Sequence, residues 1–278
     1  MLFRIVIGLY LYFHFLQLVP YAEELFGNDM PYDPKLSPVY GILPNILDYV
    51  NATLFVSFLT IISLIMILGI WPRRCAFVLW YGWAALVNRN IFISNPGIPY
   101  VGWILLAIAL VDRTKTTKYT NKFINQMLYN DKLPKRLFWA GWILMAAGYT
   151  ASGLHKLVVS PSWRDGTALQ YVMESALARD NFLRDWVLQF PVFLKFSTWF
   201  SLFLEISCLP LGVFYYTRLP YWIVYLCFHL GILMLINFAD LTIGVLMIHF
   251  FTFDHDWIIP LERWILEYYN KRNDEKVD

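Results

Sequence analysis

Charge is scarce in this chain. Asp, Glu, Lys and Arg make up 15% of its 278 residues, where a soluble domain carries about a quarter. With 59% hydrophobic residues, that shortage excludes an ordinary water-soluble domain. The net charge is only +2 and no basic stripe exists, so nucleic acid is not expected as a partner. Cysteine is also rare. Cys75, Cys208 and Cys227 form no CxxC pair and no metal-ligand spacing. Each lies in or beside an apolar run, where a cysteine packs as a small hydrophobe. Neither a disulfide nor a metal is expected. GxSxG, P-loop, GxGxxG and HExxH motifs are all missing. Without internal repeats, low-complexity stretches or linkers, the chain reads as one membrane domain at residues 1–257, followed by a short tail at 258–278.

What the chain does have is apolar length. Several runs approach the ~20 residues that cross a bilayer as a helix. The reading is an all-α, polytopic helical bundle with about eight spans, near residues 3–21, 51–71, 75–92, 97–112, 136–157, 192–214, 220–238 and 239–256. The first run has no small-residue cleavage site after its core, so it is expected to stay as a helix. Orientation follows the basic residues. Arg73, Arg74, the 112–136 segment, Arg218 and the tail carry most of them, whereas the 22–50 loop is acidic. Alternation then puts both termini in the cytoplasm, in a multi-pass cell or cytoplasmic membrane protein. Leu169, Val172, Met173 and Ala176 recur at helical spacing and predict a surface helix on the outer side. Leu261, Trp264, Ile265 and Tyr268 predict an interfacial helix in the tail.

Ionisable residues inside apolar runs are the informative ones. A charge at the centre of a membrane helix costs about 2.5–3.5 kcal/mol on insertion scales. His14, Glu205, His229 and His249 fall near mid-depth of their spans, where they could meet. The histidines could equally fix packing by hydrogen bonds to neighbouring helices. Glu205 must be protonated, paired or wet. His255, in "FDHDW", reads as a solvated inner end.

A second group lies at the outer ends: Asn88, Arg89 and Asn90, then His155 and Lys156, then Trp163 and Asp165, and Asp240. They are expected to line one outward-facing chamber where a substrate would bind. The alternative is that Arg89 and Lys156 snorkel singly to the headgroups. His155 and Lys156 project about 100° apart on a helix, so both cannot face lipid cheaply. Burial disfavours an ammonium, and a neutral amine is a base. Lys156, with His155 as a helper, is therefore the catalytic candidate, and the resemblance given below adds His229.

The stretch "YTASGLHKLVVSPSWRDGTAL" resembles the membrane domain shared by vitamin K-dependent gamma-carboxylase and its relatives, the horizontally transferred transmembrane (HTTM) domain. Ser152, Gly153, Lys156, Leu157, Trp163 and Gly166 stand at the places of that pattern. "LVNRNIFISNPGIP" and "FHLGILMLINFADLTIGVLMIHFF" resemble its polar turn and late helix. The resemblance implies that Lys156 acts as a base toward a reduced quinone and that His229 is the late-helix histidine. It also implies that the chamber faces outward. Two departures stand against protein glutamate carboxylation. The family's Asn-His pair is replaced by Asn88, Arg89 and Asn90, and its large lumenal domain has no counterpart in these residues. Two function classes follow: a quinone-using or lipid-phase enzyme, or a non-catalytic module binding membrane lipids, a hydrophobic small molecule or a partner protein.

Overall fold

The computed structural model describes residues 2–28, 45–110, 135–212, 214–237 and 239–257. The basic 112–134 segment and the tail helix expected at 261–268 lie outside the described residues.

The described residues are helical throughout, and their only extended pairing is a single bridge between Ala178 and Ile236. Twelve helices follow in order: α1 Leu2–Leu18, α2 Ala22–Phe26, α3 Ala52–Leu68, α4 Pro72–Arg89, α5 Ile98–Leu110 and α6 Lys135–Val159. Then come α7 Pro161–Asp165, α8 Ala168–Glu174, α9 Phe182–Leu188, α10 Pro191–Gly212, α11 Tyr215–Leu235 and α12 Ala239–Phe251. Local sequence explains the ends. Asn51 caps α3 by accepting from the Leu54 amide at 3.0 Å, and Gly69 closes it in the left-handed region at φ 81°. Proline at the first turn opens α4 and α7, where its missing N–H costs nothing.

Four stretches are long and apolar enough to cross a membrane: Phe3–Phe26, Lys135–Val159, Pro191–Gly212 and Tyr215–Leu235. The remaining expected spans are helices too, but shorter or more polar. α5 and α12 have 13 residues each, a rise of about 20 Å. α4 carries Arg73, Arg74, Asn88 and Arg89. A helix is present at the expected place as α8 but stops at Glu174, and a second short helix, α9, follows it.

Packing runs as a chain of neighbours: α1 on α3, α3 on α4, α4 on α5, α5 on α12, α12 on α11, α11 on α10. α6 packs closely along α10. Contacts between the turns sort them into two ends. At one end Arg4 donates to the Ile67 carbonyl, Arg73 to the Ala109 carbonyl, and Arg218 pairs with Asp254. At the other, Arg89 joins the end of α4 to residues 26–28 and Asp48. There also Arg179 and Asn237 tie the 177–179 strap to the end of α11.

α10 shows which way the polarity points. Val192, Phe193, Phe196, Phe200 and Phe203 are exposed, while Thr198, Ser201 and Glu205 are buried. This is the reverse of a helix in water. On this helix the exposed face is largely apolar, Lys195 excepted, and Thr198, Ser201 and Glu205 face the bundle.

Candidate functional site

The site grows out of the α6–α10 contact. Tyr149, Gly153 and Lys156 occupy positions i, i+4 and i+7 of α6, which is one helix face. Gly153 is buried against α10, and a Cβ there would stand 2.8 Å from Glu205 Cβ and 2.9 Å from the Ile206 nitrogen. The bare glycine lets the two backbones approach, as small residues do between membrane helices.

The approach is reinforced at Thr150. Pro210 lies inside α10 and has no N–H to give the Ile206 carbonyl. Thr150 Oγ1 from α6 fills the gap. It lies 3.3 Å from the Ile206 carbonyl and 3.2 Å from the Glu205 carbonyl, and it accepts from the Leu209 amide at 3.0 Å. A side chain of one helix is thus inserted into the hydrogen-bond ladder of the other.

One turn beyond Gly153, Lys156 Nζ meets Glu205 Oε1 at 2.5 Å. Helical side chains tilt toward the N-terminus of their own helix. For Lys156, near the C-terminal end of α6, that direction leads back into the bundle. Glu205 is 4% exposed, and the Lys156 side chain is 27% exposed. The Trp163 ring covers the amine, with Nζ 4.5 Å from its centroid, a cation–π contact. Gly166, at φ 87°, ends α7 and keeps that turn tight. Glu205 Oε2 is buried and has no hydrogen-bond partner among the described residues.

A second buried cluster lies deeper. The Tyr149 hydroxyl sits 2.5 Å from His229 Nε2 and 2.9 Å from His249 Nε2. Tyr225 stacks on the Tyr149 ring, centroids 4.1 Å apart, and its own hydroxyl donates to the Leu204 carbonyl at 2.7 Å. Tyr221, Tyr225 and His229 share one face of α11 at i, i+4 and i+8. Tyr149 lies two turns before Lys156 on the same face of α6, so this cluster and the ion pair lie along one side of that helix.

The expected chamber is therefore only partly assembled as foreseen. Lys156 and Trp163 come together, while His229 bonds Tyr149, two turns before Lys156 on α6. Glu205, expected near His229 or His249, is held by Lys156. Lys156 itself, expected to line one chamber with Asn88, Arg89, Asn90 and Asp240, turns to Glu205. His155 is exposed and does not join the cluster, as the 100° offset from an inward Lys156 requires.

Arg89 is 5% exposed and pinned by Asp48 at 2.7 Å, Asn28 at 2.8 Å, and the carbonyls of Phe26 and Gly27. Asn90 donates to the Leu25 carbonyl and caps the following turn. These two residues, with half-buried Asn88 beside them, secure the end of α4. Asp165 is exposed and turned to Thr167 at 2.7 Å. The Thr167 hydroxyl, then its amide, hold the Asp165 carboxyl below the ordinary range. The Asp240 side chain lies outside the described residues. His14 packs beside Trp83, ring centroids 4.9 Å apart, with Tyr10 as a further neighbour. No group of acidic, histidine and cysteine side chains suited to a metal occurs among the described residues.

Tyr149, Thr150 and Tyr225 were not foreseen. The signal was present as spacing: Tyr149 precedes Lys156 by two turns on the same face, and Tyr225 precedes His229 by one.

Comparison with family models, with characterised proteins and with solved structures gives no match to this chain.

Proposed function

We propose that the chain crosses the bilayer eight times with both termini cytoplasmic, and that the Lys156–Glu205 pair deprotonates a hydrophobic, weakly acidic ligand of the reduced-quinone class. The grouping of turns into two ends supports eight passes, since eight alternating helices bring those turns together. The inside-out polarity of α10 supports burial of the site within lipid. The observation that carries the chemistry is the Lys156–Glu205 contact in apolar surroundings beside an unpartnered Glu205 Oε2. A buried carboxylate oxygen without a donor and the aromatic face of Trp163 fit a flat ligand bearing a hydroxyl group. The resemblance to the HTTM pattern at Gly153, Lys156, Leu157, Trp163 and Gly166 points the same way.

A reduced quinone would supply an acidic phenolic hydroxyl and, once ionised, reducing electrons. The protein's part is proton handling. Lys156 Nζ donates a hydrogen to Glu205 Oε1. Moving it onto Glu205 leaves Lys156 Nζ as a base toward the ligand hydroxyl. Lys156 then holds the accepted proton as an ammonium beside the new anion, in a water-poor setting where such charge pairing is strong. Trp163 excludes water from the amine, and Glu205 Oε2 orients the hydroxyl.

1-Naphthol, which is not a quinone and needs no oxidant, tests this reading by absorption in lipid nanodiscs. The wild type should bind it with the appearance of the red-shifted naphtholate band. Lys156→Arg keeps a cation beside Glu205 yet cannot accept a proton. It should bind without the band. A band that persists in Lys156→Arg removes the lysine from the mechanism. A wild type that never forms the band favours a non-catalytic membrane module, in which the closed ion pair is a packing element.

A further inference from the structure

We propose that Tyr149, His229 and His249 form a proton relay that serves the Lys156–Glu205 pair. The role of the relay rests on the proposed function, but its geometry stands by itself. Three observations carry it. Both Nε2 atoms lie within hydrogen-bond distance of one hydroxyl oxygen, at 2.5 and 2.9 Å. All three side chains are buried. Both Nδ1 atoms, His229 Nδ1 and His249 Nδ1, are buried and have no hydrogen-bond partner among the described residues.

Proton counting makes the cluster directional. A tyrosine hydroxyl has one hydrogen to give. If it donates to one histidine, the other must donate its Nε2–H to the tyrosine oxygen. In the neutral cluster one histidine is therefore the Nδ1–H tautomer and its partner the Nε2–H tautomer. One outer Nδ1 carries a proton and the other is bare. Two arrangements satisfy this count, and they are mirror images across Tyr149.

A single proton passage converts one arrangement into the other. A proton arrives on the bare Nδ1 of His249. His249 gives its Nε2 proton to the Tyr149 oxygen, and Tyr149 gives its own hydrogen to His229 Nε2. His229 then releases the proton on its Nδ1. Each atom that gains an N–H or O–H bond loses one or starts bare, so one proton enters, one leaves, and no net charge stays behind. The reverse passage resets the cluster. Tyr149 lies two turns before Lys156 on the same face of α6, and His229 comes from α11, which packs on α10, the helix of Glu205; through that terminus the relay would refill or drain the proton that Lys156 and Glu205 exchange. Tyr225 fixes the Tyr149 ring by stacking and leaves its hydroxyl between the two imidazoles. His229 comes from α11, His249 from α12 and Tyr149 from α6, so the relay also locks three helices together.

Nitrogen-15 solid-state NMR of histidine-labelled protein in lipid bilayers tests the arrangement without any ligand. Chemical shifts separate protonated from bare ring nitrogens. The wild type should show one buried histidine protonated at Nδ1 and the other at Nε2, and Tyr149→Phe should shift both Nε2 resonances. Two buried histidines that are both protonated at Nδ1 overturn the relay. In the 1-naphthol experiment, Tyr149→Phe should keep binding within about twofold while naphtholate appears at least about tenfold more slowly, at the low end for a lost proton-transfer group. His249→Asn, which leaves the Tyr149–His229 contact, should slow it similarly. Unchanged kinetics in both variants overturn the relay. A wild type that fails to bind 1-naphthol defeats the proposed function, while the tautomer spectrum still decides the relay.

Discussion

Gly153 stands so close to Glu205 that no side chain fits between them: a methyl group on the glycine would come 2.8 Å from Glu205 Cβ. The ion pair one turn away depends on that contact. Gly153→Ala should therefore separate α6 from α10 and lower thermal stability in detergent by about 1–3 kcal/mol, the usual cost of overpacking. It should also abolish naphtholate formation although it touches neither charged group. Normal stability in this variant would show that the helices are more loosely joined than described.

The two members of the pair should respond unequally to removal. Lys156→Met leaves Glu205 buried with no partner for either oxygen. A broken buried pair costs about 3–5 kcal/mol, and this variant should approach that loss. Glu205→Gln leaves Lys156 partly exposed and able to move outward, so its cost should be smaller. The double variant Lys156→Met/Glu205→Leu should regain much of the loss. Chemical unfolding of the three variants checks the order, and equal losses for the two single variants would contradict it.

Thr150 and Pro210 should be coupled. Thr150→Val removes the hydroxyl that serves the Leu209 amide and the two carbonyls before Pro210. About 1–3 kcal/mol should be lost, the cost of stranding a buried polar group. Pro210→Ala restores a backbone donor to the Ile206 carbonyl, so Thr150→Val should cost less in that background. A double-mutant cycle with no interaction energy would refute the bridging role.

Arg89 should behave as a structural pin. Its guanidinium reaches Asp48, Asn28 and two carbonyls at once, which a single ammonium group cannot do. Arg89→Lys should destabilise nearly as much as Arg89→Met, with a melting temperature lowered in both, while material that does fold should still form naphtholate. Loss of the band in well-folded Arg89→Lys would return the residue to the ligand site.

Membrane topology can be read with an impermeant thiol reagent in a background lacking Cys75, Cys208 and Cys227. Single cysteines at Ser162 and Arg74 lie at opposite ends of the bundle and should label from opposite sides. Labelling of both from one side would end the eight-pass proposal.

Much of this architecture is legible in the order of residues, for reasons that differ by element. Helix positions follow from apolar runs, and each of the eight expected runs holds a helix. Boundaries slipped where one residue type misled. The seventh expected span began at residue 220, yet Pro220 is accommodated inside α11, which begins at Tyr215. Lys156 was recognisable as unusual, but its partner was not. Depth along the chain placed Glu205 in the middle and Lys156 at the rim, and a long side chain tilted toward its helix N-terminus erases that difference. Arg89 looked like a chamber residue because its partners, Asp48 and the carbonyls of 26 and 27, come from sequence-distant turns. Tyr149 was hidden because a tyrosine in an apolar run reads as packing until the two histidines are seen beside it.

The Thr150 bridge also bears on how the protein is made. α10 is a poor passenger in lipid on its own, with an acid at Glu205 and a donor missing at Pro210. Both deficits are met from α6, through Lys156 and Thr150. Translation delivers α6 first, so its lysine and threonine are already waiting when α10 leaves the ribosome. The order of synthesis thus matches the order of need. A rearranged gene that encodes α10 ahead of α6 should yield a chain whose α10 lingers outside the membrane and is degraded, even though every contact of the finished bundle remains available to it.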